Sequence, residues 1–274
     1  MQQNQEAKFF HCYATANDNR LFIKDILNLV RLKHSDPGVE KVMLYIAISK
    51  VKPVGFMDRV FVNTVRKMFA EHPSIELQDI CFKENKGRDF SSYATLYRKV
   101  KQLACAEDYI FFQNRSAFGP FENNWLKAFV KQLNRFPDVA MCGSTINFQD
   151  HHERSNSLMP HVQTYVFITK QKFLKMFGDA FPAESEEERL QIILKGEIGL
   201  SQFFLQKGYR VTCMEWPEKS ISATCSSLSG TDIKTNVCAK HQFYHRKYFR
   251  RNKKPQVQNP LFPPVVTYIK AMFK

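Results

Sequence analysis

Short apolar runs and amphipathic stretches alternate along this chain. Residues 9–15 are apolar enough for a strand, and Asn17-Asp18-Asn19-Arg20 marks a helix start. Leu21, Ile23, Ile26, Leu27 and Val30 then keep helical spacing until Asp36-Pro37-Gly38. Residues 41–48 are almost entirely apolar, the pattern of a strand covered on both faces. A helix over about 57–70 closes at His72-Pro73, and strand 75–82 follows. Helix 90–104 and strand 109–113 come next, and apolar positions 121, 125, 126, 129, 133 and 136 predict an amphipathic helix. A fifth strand spans 138–143, a polar, His-bearing loop 147–159, and a sixth strand 162–168. Helix 171–178, a Glu-rich segment 184–188, a helical pattern over 190–206 and strand 209–214 complete the series. This alternation predicts an α/β fold with a mainly parallel sheet and helices on both faces.

Composition narrows the picture. Of 40 basic residues, ten lie in 234–274, which has no Asp or Glu. The remainder carries 30 basic and 26 acidic residues, so most of the +14 formal charge is a C-terminal property. We therefore divide the chain into a domain over 1–233 and a basic, Pro-containing extension over 234–274. Positive charge confined in this way argues against a nucleic-acid partner. The basic extension precedes Val265, Tyr268, Ile269, Met272 and Phe273, a pattern expected to meet an anionic membrane surface or to pack on the domain. No run approaches the ~20 apolar residues that span a bilayer. The polar start Met1-Gln2-Gln3-Asn4 carries no apolar signal, so a cytoplasmic location is expected, peripheral at the inner face of the membrane if the extension binds it. The seven cysteines are scattered and form no CxxC, which favours free thiols over a metal or redox motif.

Polar, glycine-bearing turns follow two of the strand patterns. Asn85, Gly87 and Asp89 form N-x-G-x-D, which reads either as ligand-binding groups at a strand end or as a plain turn with Asp89 capping a helix. Asn114-Arg115-Ser116 and Gly119-Pro120 leave the 109–113 strand. In open α/β sheets, ligands bind at such strand ends. Asn114 and Ser116 are weak candidate ligands for a hard cation such as Mg²⁺ or Mn²⁺, and Arg115 is a candidate partner for a diphosphate. His161 and Gln163 open the 162–168 strand. Lys195-Gly196-Glu197-Ile198-Gly199 interrupts a helical pattern, and a break there would set Glu197, a candidate general base, at a helix start. His241 and His245 are spaced for one helix face, without an acidic or Cys companion for zinc, and read as a basic aromatic surface.

Taken in chain order, several motifs carry a resemblance. They are Asn85-Lys86-Gly87-Arg88-Asp89, Asn114-Arg115-Ser116 with Gly119-Pro120, Gly143-Ser144-Thr145-Ile146-Asn147, Pro160-His161-Val162-Gln163, and Gly196-Glu197-Ile198-Gly199 followed by Lys207-Gly208-Tyr209-Arg210. The sequence resembles inverting, GT-A-type glycosyltransferases, and within them the rhamnan synthesis protein F family, over roughly residues 8–215, with Asn259-Pro260 as a further match. The resemblance implies a GT-A, Rossmann-like sheet and a nucleotide-sugar donor bound by Tyr13, Thr15, Asn85, Gly87, Asp89, Asn114, Arg115 and Ser116. It also implies an acceptor cleft lined by His161 and Gln163, Glu197 as the base, and a glycan or lipid-linked acceptor in surface polysaccharide synthesis. Arg115 stands where relatives have Asp, which sets metal dependence against the family pattern. Two other classes fit less of the sequence. A sugar-nucleotidyltransferase needs a Gly-rich basic loop after the first strand, and Tyr13-Ala14-Thr15-Ala16-Asn17-Asp18 is not one. A non-catalytic carbohydrate- or nucleic-acid-binding protein would explain the basic extension and the missing acidic pair.

Overall fold

A computed structural model describes residues 6–19, 21–224 and 241–249. The expected boundary at 233/234, the apolar end 265–273, Asn259-Pro260, Cys225 and Cys238 lie outside the described residues.

The first half of the chain is three βα steps and a fourth strand: β1 (Phe9–Ala16), α1 (Ile23–His34), β2 (Val42–Lys50), α2 (Phe56–Phe69), β3 (Ile75–Glu84), α3 (Arg88–Val100) and β4 (Tyr109–Asn114). A short β5 (Ala117–Phe118) and α4 (Trp125–Leu133) lead to β6 (Val139–Gly143), β7 (Ile146–Gln149), β8 (Leu158–Val162) and β9 (Val166–Lys170). After α5 (Gln171–Leu174), a continuous helical rod begins as α6 (Arg189–Gln191), widens into a π-helical turn (Ile192–Ile198) and ends as α7 (Gly199–Gln206). Short strands β10 (Arg210–Cys213), β11 (Ser220–Ile221) and β12 (Tyr244–His245), then α8 (Arg246–Phe249), follow.

Eight strands form one sheet in the order β11-β10-β6-β9-β4-β1-β2-β3. Neighbours β4, β1, β2 and β3 are parallel, as are β6 and β10, while β9 and β11 run against their neighbours. Alternation along the central strands divides the core. Phe10, Cys12, Tyr45, Ala47, Ile110 and Phe112 face the layer of α3 and α7. Tyr13, Leu44, Ile46, Ile48 and Phe111 face α1, α2 and α4. A central strand buried on both faces needs apolar residues at consecutive positions, which accounts for the runs in the sequence.

Several expected elements differ. The 162–168 strand straddles two: Val162 ends β8, and Val166 begins β9. The expected loop 147–159 is largely the β7–β8 hairpin, so no crossover helix lies between β6 and β9, and β9 runs antiparallel between β4 and β6. The helix expected from 121 starts at Trp125, because Asn124 takes a left-handed conformation, φ 59°. Asn17 does not cap α1; its side chain bonds Val51 and Lys52 in the β2–α2 loop. His241 and His245 do not share a helix face. The backbone there forms β12 against β5, and His241 is buried against Glu215, 2.7 Å from Nε2 to Oε2. Phe243, from the same segment, packs among Phe111, Trp125 and Phe129, so this part of the basic extension belongs to the core.

Candidate active site at the carboxyl ends of the strands

Two cavities of similar size mark opposite ends of the sheet. One, of about 760 Å³, lies between the C-terminal ends of α1 and α2 and residues 72–74, at the amino ends of the strands. The other, of about 710 Å³, lies at the carboxyl ends. β1 and β4 are adjacent there, and the chain leaves β1 toward β2 on one side and later returns to β4 on the other. This reversal in strand order opens a crevice between neighbouring loops, the usual ligand position in such sheets.

One wall comes from the ends of β3 and β4. Gly87, φ 60°, turns the chain between β3 and α3, and its N–H donates to the Glu186 carbonyl at 2.9 Å. A Cβ at Gly87 would collide with the Glu184 carbonyl oxygen, so only glycine fits. The buried Lys83 ammonium donates to the carbonyls of Glu84 and Lys86 and closes the same turn. Desolvation brings its pKa down to about 8. The turn delivers Asp89 to the first turn of α3, where it is not an N-cap but accepts from Asn114 Nδ2 at 2.7 Å. Asn114 Oδ1 in turn accepts from the Ser116 N–H at 2.8 Å. Burial raises the Asp89 pKa, and the Asn114 hydrogen bond works against that rise.

The opposite wall is built by β8 and the helical rod. Val162 N–H donates to Ser201 Oγ at 2.9 Å, and Gln202 Nε2 donates to the Pro160 carbonyl at 2.8 Å, which ties β8 to α7. The glycines expected to break the helix instead sit in and beside the π turn. Such a turn carries one extra residue and redirects the side chains around it. Gly196 lies against the Phe90 ring; a Cβ there would be 2.7 Å from it. Glu197 therefore projects into the cavity, where Gln163 Nε2 donates to its Oε1 at 3.2 Å and His161 Nε2 lies 3.7 Å from the same oxygen. His161 Nδ1 is 2.7 Å from the Met159 carbonyl, which can only accept, so Nδ1 carries a proton.

Asp89, Asn114, Ser116, His161, Gln163 and Glu197 thus line a single cavity. Tyr13, Thr15, Asn85, Gly87 and Arg115 do not. Tyr13 and Thr15 are inside the sheet, and Tyr13 OH donates to Asp25 Oδ1 at 3.0 Å. Asn85 is exposed at its turn. Arg115 turns away from the cavity to bond Asp25 Oδ2 and the Ala16 carbonyl, both at 2.7 Å, and to pair with Asp18. Burial opposes its charge, but Asp25 and Asp18 outweigh that effect and raise its pKa.

The cavity also holds residues that the sequence reading missed. Asn147, Gln149, Asp150, His151 and His152 arrive on the β7–β8 hairpin; Arg88 and Arg189 begin helices; His245 and Lys247 come from the C-terminal segment. The alternation Ile146, Phe148 against Asn147, Gln149 is a period-two signal for that hairpin. Asp150 is neutralised by Arg154, whose hydrogen bonds bring the carboxyl pKa down to about 2. Burial brings His245 down to about 4. Arg88, Arg189 and Lys247 add positive charge to the cavity lining.

A divalent cation fits this donor set poorly. Asn114 already uses its amide oxygen and nitrogen, Ser116 is neutral, and Asp89 is a single carboxylate. Among the described residues, no three His, Cys, Asp or Glu side chains converge as a metal site. No described helix is long and apolar enough to cross a membrane.

No family model and no curated protein sequence matches the chain. Solved structures do. A mannosyltransferase from Pyrobaculum calidifontis, in complex with GDP-Man and Mn²⁺, superposes with a TM-score of 0.50 at 14% identity, over 76% of this chain and 55% of that one. The bifunctional glycosyltransferase WbbM gives 0.43 at 12% identity, over 79% and 40%. The galactosyltransferase LgtC, with donor and acceptor sugar analogs, gives 0.37 at 10%, over 69% and 70%. The chain therefore spans about half the length of the mannosyltransferase. The likeness to the mannosyltransferase gives the architecture and not the narrower rhamnan synthesis family: the chain has a GT-A-type, Rossmann-like fold.

Proposed function

We propose that the protein is a glycosyltransferase that moves a sugar from a nucleoside-diphosphate donor to a glycan hydroxyl with inversion. The observation that carries this reading is Glu197, hydrogen-bonded by Gln163 and 3.7 Å from His161, across one cavity from Asp89, Asn114 and Ser116. A glycan hydroxyl is a weak nucleophile until a base takes its proton. In the proposed step, Glu197 accepts that proton as the acceptor oxygen bonds to the anomeric carbon. The bond to the diphosphate breaks on the opposite face, so configuration inverts and the nucleoside diphosphate carries away the bonding pair. Arg88, Arg189 and Lys247 line the cavity and offer positive charge for the leaving group. Asp89 and Asn114 would hydrogen-bond the donor. The sequence resemblance favours rhamnose as the sugar and a lipid-linked or polysaccharide acceptor at the cell envelope.

The test is turnover of a nucleotide-sugar panel with glycan acceptors, with the product anomer read by NMR. Transfer with inversion is expected. Retention of configuration would remove Glu197 from the role of base. Release of pyrophosphate from a nucleoside triphosphate and a sugar 1-phosphate would reassign the cavity to nucleotidyl transfer.

A further inference from the structure

We propose that the paired loops after β1 and β2 form a docking surface for an anionic lipid membrane. The described residues include seven exposed large hydrophobic side chains, and five of them are in these loops or at the helix starts that follow. They are Leu21 at 44%, Ile23 at 41%, Val51 at 49%, Val54 at 41% and Phe56 at 72% exposure. Single exposed apolar residues are ordinary, whereas clusters mark interaction surfaces.

The cluster is held together. Asn17 donates from Nδ2 to the Lys52 carbonyl at 2.9 Å, and its Oδ1 accepts from the Val51 and Lys52 N–H groups at 2.8 and 3.1 Å. Beneath the loops, Phe22 stacks on Phe61 with ring centroids 4.0 Å apart, fixing α1 to α2. The exposed apolar groups therefore sit on a supported platform.

Charge selects the partner. Lys24, Lys52 and Arg59 stand in the same segments, Lys24 and Arg59 exposed and Lys52 half-buried. The nearby acids are occupied: Asp25 and Asp18 pair with Arg115, Asp58 accepts from the Gly55 N–H at 2.7 Å, and Glu84 pairs with Lys50. An apolar centre with a basic border matches the interface of an anionic bilayer, where apolar groups enter the headgroup boundary and each nearby Lys or Arg adds attraction. A two-fold contact between copies of this chain would instead bring like-charged borders together. The platform lies at the carboxyl ends of the strands, as the cavity does, and the proposal stands independently of the reaction assigned to that cavity.

The experiment is co-sedimentation of the full chain with phosphatidylglycerol-containing phosphatidylcholine vesicles and with phosphatidylcholine alone. Wild type is expected to sediment with the anionic vesicles. A Val54→Ser/Phe56→Ser double variant should bind them about tenfold more weakly, from lost apolar transfer. Lys24→Glu/Lys52→Glu should weaken binding in a salt-sensitive way. Phe56→Trp provides a direct readout, since its emission should shift to the blue only with anionic vesicles. Equal binding of wild type and variants would overturn the proposal, because it would assign attachment to the C-terminal basic residues. It would also be overturned by no binding, by equal binding to both vesicle types, or by self-association that the serine variant abolishes.

Discussion

Gln163 donates its side-chain amide to Glu197 Oε1 at 3.2 Å, joining the end of the β8 wall to the π turn. Neither residue is near the other in sequence, and the contact fixes a carboxylate that a plain α-helical register would direct elsewhere. If Glu197 is the base, Glu197→Gln should keep the shape and the donor site. Donor affinity by calorimetry should be unchanged, while sugar transfer falls by about 10²–10⁴-fold. Near-normal transfer with the true acceptor would place the base on another residue.

Asn114 leads to a prediction about metal. Its amide bridges Asp89 and the Ser116 N–H, an arrangement that works without a cation. EDTA should therefore leave donor binding intact. Asn114→Asp would place a second carboxylate 2.7 Å from Asp89, where two like charges are unfavourable unless one is protonated or a cation intervenes. Added Mn²⁺ should raise the melting temperature of this variant and leave wild type unmoved. Loss of wild-type turnover in EDTA, with recovery in Mn²⁺, would sink this argument.

Gly87 supports the donor wall through its backbone. Its left-handed φ, and the Glu184 carbonyl oxygen standing where a Cβ would go, leave no room for a side chain. Gly87→Ala should cost about 1–3 kcal/mol, the usual range for overpacking and backbone strain. It should also weaken donor binding, because Asp89 hangs from the same turn. A urea midpoint equal to wild type would show that the 184–186 segment yields without cost.

The strands and helices of the first half were legible because their covering layers demand continuous apolar runs and amphipathic stripes. The α/β class and the sheet with helices on both faces follow from that demand. The β7–β8 hairpin left only a short period-two signal at residues 146–149, and its polar cavity-facing residues resemble a loop when no partner strand is in view. For the same reason Val162 and Val166 read as one strand. Arg115 shows a different limit. Its position after a strand suggests an anion site, but Asp18 and Asp25, some 90 residues earlier, claim its charge. The glycines at 196 and 199 flagged an irregular helix, yet only packing against Phe90 distinguishes a π turn from a break.

His11 allows a test of the core by acid. Its ring is buried between sheet and helices, edge-on to Phe111 at 5.0 Å and tilted against Trp125 at 5.6 Å. Burial lowers its pKa to about 3 from the ordinary histidine value of 6.5, and the neighbouring Gln113 side chain opposes part of that fall. Below pH 6.5 the unfolded chain takes up a proton that the folded chain refuses. Stability is therefore full above that pH and declines as pH falls toward about 3, by about 1.4 kcal/mol per unit for one proton. His245, lowered to about 4 by burial, adds a decline of the same sign over a narrower window. His11→Phe keeps an aromatic ring in place and removes one titrating group. Urea unfolding at pH 7, 5 and 4 should show the variant losing less stability than wild type, with the His245 share remaining. Parallel losses in the two proteins would mean that His11 is protonated in the folded chain as readily as in the unfolded one.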